Sequence, residues 1–367
     1  MARASQDSAE AVLRRLIAFR TRYAITESCW SASRWFRDKL AEYGCDSTYL
    51  DTFLIPGESP TVNIVGVKRG QLNPNQIHII CGHIDNTSET PETFAPGSDD
   101  NASGCGLVLE AARMFQGIAF DYTVWFIGFG GEEWGLVGSD SFARECRERG
   151  DTIVLAINHD MNSYGTAGRD SIRVVGKRSN PPCSTWVEYY MAMADTFTDL
   201  KCHREIVDQQ GTSDQSSFWR YGYPAIRDRY LDIDPVYHTT GDTIGPYQYY
   251  DCGTNNIPMY TEAIKATVAT VAKLAGAHMD STGVAEPPRL PALVRIAPSV
   301  GRAPVLVRLS SAASVVSVYN AAGRLVRKLG AGMSLTWDGS DSSGLAVGPG
   351  VYYFRAAETS ARFVLAR

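Results

Sequence analysis

Tyr122-Thr-Val-Trp-Phe-Ile-Gly-Phe-Gly-Gly-Glu-Glu-Trp-Gly-Leu-Val-Gly-Ser139 is the stretch on which the fold turns. Its first six residues are almost wholly apolar, as in a strand covered on both faces. Glycines at 128, 130 and 131 end that run, and a segment of helical texture begins near Ser139. Strand, tight glycine turn, then helix is the repeating unit of an α/β protein. The turn carries two adjacent carboxylates, Glu132 and Glu133. On their own these are two acids of a solvated loop. If buried, they need a metal, cations or substrate beside them, because an unpartnered buried charge costs several kcal/mol.

The chain has 367 residues, 44% hydrophobic and 20% charged, enough for a large core plus a smaller second one. A net charge of −5 argues against nucleic acid as a partner. No apolar run reaches the length of a membrane span. The first residues, Met1-Ala-Arg-Ala-Ser-Gln-Asp7, do not resemble a signal peptide. Either the protein stays in the cytoplasm or its chain starts after a removed leader. Eight cysteines include no CxxC pair, which disfavours a thiolate zinc site. Cys81 and Cys105 read as small core residues. Cys29 with Cys45, and Cys183 with Cys202, are the candidate disulfides of an exported protein.

Working outward, helical spacing covers 8–21, with Val12, Leu13, Leu16 and Ile17 on one face. It recurs over Ser28–Tyr43, with Trp30, Trp35, Phe36 and Leu40 inward and Gly44 closing the helix. Strands are expected at 47–54, 62–67 and 76–81. Helices at 104–115, 139–148, 184–196 and about 255–275 then alternate with strands at 122–129, 153–157, 171–175 and 224–231. This pattern predicts a mixed, mostly parallel sheet sandwiched by helices over residues 1–279. A proline-bearing linker at 280–291 follows. Beyond it, short alternating runs split by Asn320-Ala-Ala-Gly323, Asp338-Gly339 and Pro349-Gly350 predict a small β-sandwich over 292–367.

Ligands of open α/β sheets gather outside the carboxyl ends of the strands. Those ends here carry Gly82-His83-Ile84-Asp85, Glu132-Glu133 and Asn158-His159-Asp160-Met161. Gly97-Ser-Asp-Asp-Asn-Ala-Ser-Gly104 precedes a helix, and Tyr237-His-Thr-Thr-Gly-Asp-Thr243 precedes the last one. Histidines and carboxylates in that setting suit zinc with an open position for water. Taken singly, each has a plainer explanation. His83 is as readily a hydrogen-bonded core histidine, Asp99-Asp100-Asn101 a helix cap, and His238 a loop residue. His78, His159, His203 and His278 read as structural.

In their order and placement these motifs resemble a known family, the secreted bacterial aminopeptidases with two co-catalytic zinc ions. Its relatives include glutamate carboxypeptidases and glutaminyl cyclases. The resemblance rests on the stretches just quoted, on Glu132 to Ser139, and on Ser213-Asp-Gln215 with Phe218, within roughly residues 8–276. It implies two Zn2+ per chain. Asp100 would bridge them, with a cis peptide to Asn101. His83 and Asp160 would complete one ion, Glu133 and His238 the other. Asp85 would support His83, Glu132 would act as general base, and Tyr237 would steady the tetrahedral intermediate. Substrates would be peptides with a free N-terminus. Met161, Phe218 and Tyr223 are the candidates for the side-chain pocket.

The chain departs from the family at Gln215, where many relatives carry histidine after Ser-Asp. That position is not a ligand, so altered hydrogen bonding is expected rather than lost zinc. Two alternatives remain open. One is a single-zinc glutaminyl cyclase using Asp100, Glu133 and His238, with Glu132 as proton shuttle; the other is a non-catalytic binding protein. The C-terminal runs Val316–Arg327, Trp337–Gly344 and Gly350–Arg355 resemble the immunoglobulin-like modules related to the flagellar hook-capping protein. Similar modules sort proteins for type IX secretion. That resemblance implies an extracellular location and a partner in the cell surface or secretion machinery.

Overall fold

The computed structural model describes residues 3–165, 170–231, 234–244, 254–279, 294–296, 300–313, 315–321, 324–330, 332–356 and 359–365. The chain forms two compact units, residues 1–281 and 282–367. The expected linker at 280–291 lies outside the described residues.

Eight strands form the main sheet of the first unit: β1 Ser47–Leu54, β2 Pro60–Lys68, β3 Asn73–His83, β4 Tyr122–Phe129, β5 Thr152–His159, β6 Ser171–Lys177, β7 Lys201–Val207 and β8 Ala225–Tyr230. They lie in the order β1-β2-β4-β3-β5-β8-β6-β7. Pairing is parallel along β4-β3-β5-β8 and between β6 and β7, and antiparallel elsewhere. The helices are α1 Gln6–Ile17, α2 Glu27–Glu42, α3 Gly104–Met114, α4 Val137–Arg149, α5 Pro181–Phe197, α6 Gln215–Arg220 and α7 Ile257–Leu274.

Period-two alternation assigns each strand's two faces to separate cores. Val124 and Phe126 of β4 join Ile80 beneath α1, α2, α3, α5 and α7, while Ile127 and Phe129 join Ile79 and Cys81 against α4 and α6. Phe126 is wholly buried, a burial that stabilises by about 1.5–3 kcal/mol. Ser5 and Thr26 cap α1 and α2 through the amides of Ser8 and Cys29. Phe36 and Leu40 point inward as expected, but Trp30 and Trp35 are only half-buried. Trp35 lies on the flank of α2, with the Arg15 guanidinium 5.6 Å from its ring and Phe19 alongside.

Both proposed disulfides are corrected: Cys29, Cys45, Cys183 and Cys202 are all free thiols. Cys29 and Cys183 are core side chains of α2 and α5, and burial pushes the Cys45 and Cys202 thiols up to about 12. These cysteines fill space as small apolar groups. The edge strand β7 and the single-turn-and-a-half α6 escaped the sequence reading. Lys201-Cys-His-Arg-Glu-Ile-Val207 is too polar to look like a buried strand, and six residues are too few to show helical periodicity.

In the second unit Val305–Ala313 pairs with Val294–Ile296 and Gly332–Trp337. A five-stranded sheet combines Val300–Gly301, Thr359–Leu365, Gly350–Ala356, Val316–Asn320 and Leu325–Leu329. One apolar cluster, with Val307 and Trp337 from the first sheet and Val318, Phe354 and Phe363 from the second, joins them as a small sandwich. Trp337 is fully buried and its Nε1–H donates to the Ser340 carbonyl at 2.8 Å. Among the described residues no helix is long and apolar enough to cross a membrane.

Candidate functional site

Four parallel strands end level with one another. His83 pairs with Phe129, Cys81 with Asn158, and Asp228 with His159. The chain leaving each strand therefore enters one region, where His83, Glu132, Glu133, Asp160 and Arg227 line a cavity of about 390 Å³. Asp100 reaches it from the loop before α3, and Tyr237 from the segment before α7.

Asp100 stands between two imidazoles. Its Oδ1 is 3.2 Å from His83 Nε2, and its Oδ2 is 3.1 Å from His238 Nε2. Glu133 Oε2 lies 3.0 Å from the same His238 nitrogen, and Asp160 Oδ1 lies 3.4 Å from His83 Nε2. Glu132 converges on His83 and Asp160, so two overlapping donor groups share His83. The peptide between Asp100 and Asn101 is cis. Tyr237, 42% exposed, lays its ring on His238, 3.6 Å between centroids at 22°.

The supporting contacts explain why these groups meet. His83 Nδ1 lies 3.1 Å from the Asp85 carbonyl oxygen, an arrangement that makes Nδ1 the donor and leaves the Nε2 lone pair facing the cavity. The Asp85 carboxylate is 3.8 Å from that nitrogen and is spent elsewhere. It accepts the main-chain N–H groups of Glu132 and Glu133, at 3.1 and 3.2 Å. Asp242 similarly accepts the amides of Asp99 and Asp100, at 2.8 and 2.9 Å. Arg22, fully buried, donates to the carbonyls of Ile84, Pro96 and Gly97 and pins the loop from beneath. Asn101 caps α3 through the Gly104 amide at 2.8 Å and donates to the His159 carbonyl at 2.9 Å. A Cβ at Gly104 would sit 2.1 Å from that carbonyl oxygen, so only glycine fits.

The acids crowd one another. Burial, then Asp160, Asp214 and Glu133, push the Glu132 carboxyl well above the usual range against the pull of His83. Burial and Asp100 raise Glu133 to about 7, opposed by His238. Burial would raise Asp160 too. Arg227, with Nη2 2.9 Å from Asp160 Oδ2, and His83 outweigh it and hold that carboxyl well below the usual range. Glu133 Oε1 is buried with no hydrogen-bond partner among the described residues, and the two carboxylate oxygens at 3.0 and 3.1 Å crowd His238 Nε2 without completing a hydrogen bond. Unsatisfied lone pairs beside crowded carboxylates are what a divalent cation relieves.

Met161 lines the cavity, its backbone in the left-handed region at φ 67°. Phe218 and Tyr223 do not, which corrects two of the three pocket candidates. Phe218 is fully buried with its ring 6.0 Å from Phe129, and Tyr223 packs in the same cluster with its hydroxyl donating to the Asp151 carbonyl at 3.1 Å. Gln215 accepts from Asn158 Nδ2 at 3.1 Å. His159 is structural as expected, its Nδ1 2.5 Å from the buried Asp228. Arg227, Asp242 and Arg22 were missed. An arginine inside a strand or a lone loop acid carries no local mark of its role.

Residues 63–255 match the profile of Peptidase family M28, and residues 295–362 that of the FlgD Ig-like domain. A probable leucine aminopeptidase of Arthroderma otae is 28% identical over 200 residues, covering 52% of this chain and 50% of that protein. The chain thus spans about half the length of the curated relatives it matches. Among solved structures, the LapA aminopeptidase of Legionella pneumophila aligns at a TM-score of 0.61 with 21% identity, over 74% of this chain and 71% of that one. A Bacteroides thetaiotaomicron glutaminyl cyclase bound to N-acetylhistamine aligns at 0.57 with 15% identity, over 73% and 97%. At such identities these structures share the fold. With more than half of its length matching the profile, and with the strand-end acids and histidines gathered in one cavity, this chain belongs to Peptidase family M28.

Proposed function

We propose that the protein is a zinc aminopeptidase that removes N-terminal residues from peptides, with two zinc ions per chain. The observation that carries this reading is the placement of Asp100 between His83 and His238, each flanked by a further carboxylate. This donor set, imidazole and carboxylate with orphaned lone pairs, suits zinc. His83, Asp160 and Asp100 would hold one ion; Glu133, His238 and Asp100 the other. When bound, zinc polarises the scissile carbonyl and makes water acidic enough to deprotonate near neutrality.

The protein's own groups divide the rest. Glu132 is not needed as a ligand in this scheme and is tied by its amide to Asp85, so its carboxylate takes the proton of the attacking water. As the C–N bond breaks, the same carboxyl returns that proton to the departing amine. The Tyr237 hydroxyl, at the cavity wall, donates to the oxyanion that develops on the carbonyl. Peptides with a free N-terminus are the proposed substrates. Export, with the C-terminal module as a sorting or surface-attachment element, is proposed from that module alone.

One observation favours a single-zinc cyclase instead: Arg227 already engages Asp160, leaving Asp100, Glu133 and His238 as one ligand set. Metal analysis with a panel of aminoacyl-p-nitroanilides decides. Two zinc ions per chain and aminoacyl release support the peptidase. One tightly held zinc, cyclisation of N-terminal glutamine and no aminoacyl release would replace it.

A further inference from the structure

The two units differ in charge. Residues 282–367 hold ten Lys and Arg against four Asp and Glu, while residues 1–281 hold 25 against 36. The chain's net charge of −5 thus divides into an acidic first unit and a second unit of charge +6. A small module so basic draws anions to its surface, most strongly at low salt.

The five-stranded sheet sets where part of that charge is shown. Tyr352 and Phe354 of Gly350–Ala356, with Val316 and Val318 of Val316–Asn320, fill the core. Alternation therefore turns Tyr353, Arg355, Ser317 and Tyr319 to the opposite face. The ladder pairs Ser317 with Arg355 and Tyr319 with Tyr353. On the other side Ser317 meets Lys328, and Tyr319 meets Leu325. Leu325 and Lys328 are three residues apart, a spacing that in an unbroken strand puts them on opposite faces. A register shift between these two pairs lets both be exposed. Two cross-strand rows result, Leu325-Tyr319-Tyr353 and Lys328-Ser317-Arg355. They lie about 7 Å apart, two residues along the strands, and each spans about 10 Å. Tyr353 is 40% exposed and Leu325 44%. Arg327, by contrast, is held by Asp338 at 3.0 Å.

We propose that this face of the second unit binds an anionic polysaccharide, a chain of sugar rings bearing carboxylate, sulfate or phosphate groups. Lys328 and Arg355 pair with the anionic substituents. The rings of Tyr319 and Tyr353 and the side chain of Leu325 lie against the C–H faces of the sugars. The hydroxyls of Ser317 and the two tyrosines donate to and accept from sugar hydroxyls. A bilayer takes up protruding apolar groups, whereas these rows offer three hydroxyls and one exposed aliphatic side chain. A nucleic acid asks for a groove of cations that tracks its backbone, whereas here two cations share a single row. Such binding is independent of the chemistry of the first unit.

The test measures binding of the full chain to immobilised polygalacturonate and dextran sulfate, with neutral dextran, phosphatidylglycerol vesicles and poly(dT) alongside. Binding to either anionic glycan about 10-fold or more tighter than to dextran, and weaker at high salt, supports the proposal. Lys328→Glu and Arg355→Glu should each weaken it about 5- to 10-fold, and Tyr353→Ala about 3- to 10-fold. Thermal unfolding checks that each variant folds, and each of the three serves if another does not. Arg302→Glu makes the same charge change just past Val300–Gly301, the strand at the far edge of the sheet, and should cost less than about twofold. An equal loss from Arg302→Glu overturns the proposal, since net charge alone would then attract the glycan. No binding to either anionic glycan, or equal binding to dextran, overturns it too. Tighter binding to the vesicles or to poly(dT) also overturns it and assigns the module to a lipid surface or a nucleic acid.

Discussion

Asp85 and Glu132 are 47 residues apart in the chain, yet the carboxylate of the first accepts the main-chain N–H of the second at 3.1 Å. The other carboxylate oxygen takes the amide of Glu133 at 3.2 Å. Asp85 therefore orients the turn that carries both acids, while its own carbonyl, not its carboxylate, receives the His83 ring nitrogen. The family resemblance implies that Asp85 supports His83; its carbonyl meets that ring, and its carboxylate clamps the neighbouring loop.

Removing that clamp should loosen both acids. Asp85→Asn keeps one acceptor and loses the other, and hydrolysis is expected to fall about 10- to 100-fold. Thermal unfolding should show a loss of about 1.5–3 kcal/mol. Unchanged kcat would show that the turn holds its shape without Asp85.

Glu132→Gln separates base from ligand. Turnover should drop by about 10²- to 10⁴-fold, with zinc content near that of the unaltered protein. Loss of zinc alongside activity would assign Glu132 to the metal instead.

Gly104→Ala reports on the close approach beneath the site. The added methyl meets the His159 carbonyl oxygen at 2.1 Å, backbone that cannot swing aside. A loss of about 1–3 kcal/mol is expected by denaturant unfolding. Zinc retention during dialysis should weaken with it, because Asn101 and Asp160 flank the displaced backbone.

His78 should make stability fall in mild acid. It is 3% exposed, and burial draws its imidazole down to about 4. The unfolded chain protonates this residue near 6.5, so between that pH and about 4 the unfolded state binds the extra proton. Stability from the neutral ring is present above 6.5 and lost as pH falls through the window to about 4, by about 3 kcal/mol in full. Between pH 7 and 5 the stability of the unaltered protein should fall relative to that of His78→Leu as pH falls. Parallel curves would show that His78 does not titrate in this range.

Much of the site was legible because each ligand candidate sits in a local pattern. Glu132 and Glu133 end an apolar strand with glycine, His83 ends another, and Asp100 precedes a helix. Backbone periodicity and turn chemistry are local, so residue order reports them. Arg227 was not legible: within Ala225–Tyr230 it looks like any strand residue, and only the pairing of β8 beside β5 brings it to Asp160. Phe218 and Tyr223 misled for the converse reason. Their apolar rings fit a substrate pocket or a core equally well, and packing against Phe129 and Trp219 decided for the core. The cysteine pairs failed likewise, since spacing says nothing of where thiols lie in space.

From residue order alone come the α/β class, the small β-sandwich after residue 291, and the set of acids and histidines at strand ends. These follow from periodicities and breakers that act over a few residues. Tertiary structure alone decided that Asp100 faces two histidines, that Asp85 and Asp242 spend their carboxylates on backbone amides, and that Arg227 meets Asp160 at the cavity. Each of these joins groups far apart in the chain across a sheet whose order, β1-β2-β4-β3-β5-β8-β6-β7, does not follow the sequence. Contacts of that kind depend on which strands become neighbours, and that is settled by burial of the whole core rather than by any one segment.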